Sequence, residues 1–74
     1  MTRYTISQDG SHDPDLTGLD AESVATFLRA QAAFLERDAK YLRHAAGSIA
    51  NYADSMVFPY EMPLSFLSLC IERD

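Results

Sequence analysis

The sequence is poor in cysteine, in basic residues and in long apolar runs. One cysteine, Cys70, excludes a disulfide within the chain. With only His12, His44 and Cys70 as nitrogen or sulfur ligands, a structural zinc site has too few donors. Lysine and arginine number 6 against 11 aspartates and glutamates, a formal charge of −5. A net acid of this kind does not bind nucleic acid through bulk electrostatics. No apolar stretch approaches the roughly 18 residues of a membrane-spanning helix. The opening MTRYTISQDG is not apolar enough for a signal peptide. The expectation is a soluble, cytoplasmic chain with no membrane contact and no cofactor.

The 74 residues make one small domain, with 47% hydrophobic and 23% charged residues. A chain this short buries only about 60% of its unfolded surface. One core then supplies no more than a few kcal/mol. Disulfides and zinc being excluded, stability has to come from dense helix packing or from oligomerisation.

Residues 1–8 alternate weakly, with Tyr4 and Ile6 on one side, and read as a short strand or extended arm. Residues 9–20 hold two glycines, one proline and four aspartates and read as an acidic loop. Asp20 is a helix N-cap, and Glu22 complements the dipole of the first turn.

A seven-residue repeat follows. With Ala25 at position a, that position reads Ala25, Ala32, Ala39, Ala46 and Ala53. Position d reads Leu28, Leu35, Leu42, Ile49 and Met56. Small residues at a admit a second helix closely, and the larger d residues fill the space beside it. The pattern predicts one long helix over about 21–57, roughly 55 Å at 1.5 Å per residue. Gly47 is a possible break, but the heptad phase survives across it and favours continuity. Phe58-Pro59 ends the helix. The Ala/Leu layering over residues 24–57 resembles Rop-type antiparallel coiled coils. That resemblance concerns packing only and implies an antiparallel helical pairing, with the ten a and d residues as a homodimer seam. Residues 63–72 read as a short C-terminal helix opened by Pro63, with a strand as the alternative. The fold class expected is mainly α.

The apolar arc is wider than one seam. Position c adds Phe27, Phe34 and Tyr41, and position g brings Gln31 and Asp38 onto its edge. A single helix cannot bury such an arc. Either a second copy of the chain covers it, or the aromatic stripe docks a foreign protein. Asp38 has no basic neighbour at i±3 or i±4 and needs a partner. In the docking reading, Phe27, Gln31, Phe34, Asp38 and Tyr41 form the partner surface, joined by Asp13 and Asp15 of the acidic loop.

Chemical motifs are weak. Asp13-Pro-Asp15-Leu-Thr17-Gly18 matches the start of a calcium loop, but the position of its bidentate acid is Val24. Cys70 has no base or cation near it in sequence and reads as an inert thiol. No nucleophile elbow, phosphate loop or HExxH is present, and an enzyme is not expected. Arg29, Arg37, Lys40 and Arg43 give the long helix a basic face, a candidate for nucleic acid or an acidic protein.

In size and character the chain resembles the small inhibitors made by phages and mobile elements, anti-CRISPR proteins and blockers of host regulators among them. That resemblance implies a non-enzymatic protein that binds a host protein or complex and blocks it sterically. A nucleic-acid-binding or antitoxin-like regulator and a structural assembly subunit are the alternatives. The charge is divided unevenly: −5 over residues 9–22, +1 over 23–58. An acidic loop therefore precedes a slightly basic helix.

Overall fold

The computed structural model describes residues 2–74 and combines a helical hairpin with an antiparallel sheet. Strand β1 spans Tyr4–Gln8 and β2 Ser11–His12. Helices α1 (Ala21–Phe34) and α2 (Ala39–Tyr52) follow, then β3 (Tyr60–Pro63) and β4 (Ser68–Arg73). The sheet order is β2-β1-β4-β3, every neighbouring pair antiparallel. The expectation of a mainly α chain with one long helix is therefore wrong, in three places.

The first correction concerns the helix. It breaks at Leu35–Asp38, not at Gly47. The N–H of Leu35 donates to Gln31, a single turn of 3-10 helix covers Glu36–Asp38, and α2 runs back along α1. No glycine or proline marks this reversal; the reason for it is burial. A continuous helix of roughly 55 Å would exceed the longest dimension of the molecule, 33 Å, and leave its apolar arc in water. Folded back, the stripe covers itself and the sheet. The heptad phase persists because both halves turn the same positions inward: Ala25, Leu28 and Ala32 from α1, Leu42, Ala46 and Ile49 from α2. Gly47 lies inside α2, and a Cβ placed on it meets nothing within 4 Å.

The second correction concerns the seam. Those six residues are buried within one chain, so they offer no surface to a second copy. Leu35 and Ala39 flank the reversal and are half-buried. Ala53 begins a 3-10 turn and Met56 lies beyond it, in extended backbone.

The third correction concerns the C-terminal segment. Residues 68–73 are a strand, the central partner of both β1 and β3. Pro63 ends β3 and does not open a helix. Leu69 and Ile71 point to the helices, and pair across the strands with Met62 and Ile6 respectively. Tertiary pairing decides here: as a helix, this segment would leave β3 without a partner and β1 with only the two-residue β2.

Asp9-Gly10 closes the β1–β2 hairpin, both residues at positive φ (51° and 81°). A tight two-residue turn needs that conformation, and Asp-Gly supplies it cheaply. Asp20 caps α1 by accepting from the N–H of Ser23 at 2.8 Å. The core lies between the hairpin of helices and one face of the sheet. Tyr4, Ile6, Met62, Leu69 and Ile71 meet Val24, Leu28, Leu42, Ala45 and Ile49 there. Phe58 closes one end of it, 5.2 Å from the Tyr4 ring and 5.0 Å from the Arg73 guanidinium carbon.

Candidate interaction surface

The helices cover one sheet face and leave the other open. The residues that alternate away from the core form a polar row across all four strands: His12 pairs with Ser7, Ser7 with Cys70, and Cys70 with Glu61. The row floors a hollow of about 650 Å³, also lined by Asp9 and Glu72. Partial burial pushes the Cys70 thiol up from its ordinary value; Glu72 and Glu61 add to this, and a hydrogen bond with Ser7 opposes it. His12 is two strand spacings from Cys70, about 10 Å. The pair is not a thiolate–imidazole dyad, and the acids beside the thiol work against a nucleophile.

The end of the molecule that holds the helix reversal is different in character. Asp38 stands in the reversal, and its carboxylate oxygens accept from the N–H of Ser65 at 2.9 Å and from its hydroxyl at 3.1 Å. Ser65 lies in the β3–β4 turn, closed by Leu64 N–H to Leu67 C=O at 2.9 Å. Asp38 therefore finds its partner in another element, and ties that turn to the helical hairpin. The tie places Phe66 at the end where Phe34 finishes α1. Both rings are nearly free of protein: Phe34 is 81% and Phe66 78% exposed. Tyr41, in the first turn of α2, is 38% exposed. It lies against Tyr60, whose hydroxyl is pushed up by burial first and by Tyr41 second.

The structure thus gathers part of the expected partner surface. Phe34, Asp38 and Tyr41 share one end. Phe27 and Gln31 are half-buried, and Phe27 packs against the core. Asp13 and Asp15 lie on a separate loop, where the Asp13 carboxylate accepts from the N–H of Asp15 at 2.9 Å and caps a 3-10 turn. Among the described residues no group of three or more His, Cys, Asp or Glu could hold a metal ion. The basic face is also divided. Arg29 sits on α1 and pairs with Glu22 at 3.8 Å. Arg37, Lys40 and Arg43 are exposed at the reversal and along the outer side of α2.

Sequence reasoning missed Phe66, because a C-terminal helix would not have set it on a turn. The signal was there: Pro63 and the alternation through Leu69 and Ile71 define a hairpin whose tip is residues 64–67. Among the described residues, no helix is long and apolar enough to cross a membrane. Comparison with protein-family models, curated proteins and solved structures finds no match.

Proposed function

We propose that this protein is a non-enzymatic binding module that docks the Phe34/Phe66 end onto a protein partner and blocks that partner's surface by its bulk. One observation carries the reading: two phenylalanines about 80% exposed stand at the helix-reversal end, Phe34 at the close of α1 and Phe66 on the turn that the Asp38–Ser65 tie brings there. Exposed large apolar groups that share a surface mark interaction sites. Phenylalanine contributes large contact area at little conformational cost, which suits an anchor.

Docking by strand addition is poorly served. The edge strand β3 has four residues, ends in Pro63 and follows Pro59; the opposite edge strand β2 has two residues. Short, proline-bounded edges resist pairing with another chain. Side chains at the helix-reversal end are the better route.

The test is photo-crosslinking in cells of the producing organism or its host. A photoreactive phenylalanine is placed at position 34 or 66, with position 57 as the control, since Val57 is also 83% exposed. The expected result is a discrete protein adduct from positions 34 and 66 that position 57 does not give. Equal adducts from all three, or none, would sink the proposal. A nucleic-acid adduct from the same positions would favour the regulator reading. A ladder of self-adducts would favour an assembly subunit.

A further inference from the structure

Among the described residues, three of the protein's six cations form no ion pair, hydrogen bond or ring contact. Of the six, Arg29 pairs with Glu22, the one ion pair among the described residues. Arg73 lies over the Phe58 ring. Arg3 reaches the Gly18 carbonyl at 3.5 Å and faces Asp20. Arg37 in the 3-10 turn and Lys40 and Arg43 on α2 remain, spaced three apart in sequence and all exposed. Stability does not account for them either. Arg37 stands between Glu36 and Asp38 just before α2, and Lys40 lies in its first turn; among the described residues neither cation comes within ion-pair distance of those acids. Cations there oppose the helix dipole.

These cations lie at the end that carries Phe34 and Phe66. We infer that this end binds a short acidic segment of a partner protein that carries a large apolar side chain. Its carboxylates would meet Arg37, Lys40 and Arg43, and its apolar group would pack on the two rings. The inference rests on the protein-docking reading above and names the chemistry of the partner.

Charge distribution separates this occupant from nucleic acid. The molecule is only 33 Å in its longest dimension, about the length of ten base pairs. A duplex laid along α2 would run past the basic end towards Asp54, and the net charge of −5 would repel it. Charges are screened beyond about 8 Å at physiological salt. A short segment confined to one end meets three cations against Glu36 and Asp38 and does not feel the distant acids; a long polyanion does.

The experiment is a selection from a display library of random peptides, about 12 residues long, on the immobilised full chain at about 0.15 M salt. The enriched peptides should be net acidic and contain Leu, Phe or Trp. The triple variant Arg37→Glu/Lys40→Glu/Arg43→Glu should lose about tenfold or more in affinity for them. Phe34→Ser/Phe66→Ser should lose binding as well. All five side chains are exposed, and glutamate at the start of α2 suits the dipole, so the variants should melt like the parent. Neutral or basic winners, no winners at all, or unchanged binding by the triple variant would overturn the inference. So would tighter binding of a DNA duplex of about 20 base pairs through the same cations, or a dimer in sedimentation that the triple variant dissolves. If the winners carry no acid but still require Phe34 and Phe66, docking at this end stands and the acidic partner falls.

Discussion

Gly47 shows how little a residue type decides without its surroundings. It lies within α2 with helical backbone, makes no close approach, and its missing Cβ would enter open space. Glycine there costs chain entropy for no packing return. Gly47→Ala should raise stability by about 0.5–1 kcal/mol in urea unfolding; a loss would mean that α2 needs the glycine. Asp20 is the opposite case, a residue whose chemistry is used. Hydrogen bonds from Ser23 hold its carboxyl below the ordinary carboxylate value. A folded-state value below the unfolded one stabilises the fold at higher pH, and the gain is lost as pH falls below about 4. Asn caps as well as Asp but does not titrate. The melting temperature of Asp20→Asn should therefore match the parent at neutral pH and fall less steeply in acid. Parallel acid slopes would show that the cap does not set this dependence.

At the scale of elements, the close pairing of α1 and α2 depends on alanine at the contact. Ala46 is fully buried between the helices and the sheet. Ala46→Leu should overpack the interface and destabilise by about 1–3 kcal/mol, measured by denaturant midpoint at unchanged slope. A neutral result would mean that the helices do not pack tightly there. The tie between the helix reversal and the β3–β4 turn makes a separate expectation. Asp38→Ala removes both hydrogen bonds to Ser65 and should cost about 1 kcal/mol. Asp38→Asn, which can still accept one of them, should cost less. Equal losses would mean that the carboxylate contributes through something other than those bonds. Asp38 also illustrates what was legible. The heptad placed it on an apolar edge and implied a partner, yet the partner is Ser65, 27 positions away on a strand hairpin. No local pattern points that far. Asp9-Gly10, by contrast, carries a hairpin signal in the dipeptide itself, yet composition assigns residues 9–20 only to a loop, and strand β2 at Ser11–His12 appears in the structure alone.

At the scale of the molecule, one layer of helices covers one face of the sheet, and the two surfaces left over differ in kind. The open sheet face is acidic and hollow, and the helix-reversal end carries exposed aromatics and three cations interleaved with Glu36 and Asp38. Phe34 was placed in the candidate site from its heptad position, while Phe66 was not, because its exposure depends on a hairpin the periodicity did not choose. Replacing both with Ser should leave the unfolding free energy from urea titration within about 0.5 kcal/mol of the parent, since exposed side chains contribute little to folding. A larger loss would mean that the rings pack on the fold rather than stand out from it.

The sequence by itself determined the inward stripe, the Asp20 cap, the alternation of Tyr4 and Ile6, and the uneven division of charge. Each is a local pattern, written in the spacing of side chains along one segment. Only the tertiary structure decided where the stripe folds back, that residues 68–73 join β1 and β3, and which aromatics stay in water. The physical reason is that the Ala/Leu repeat is satisfied equally by a second copy of the chain or by its own other half. Burial against the sheet selects the second, and a helical stripe carries no record of the sheet it packs against.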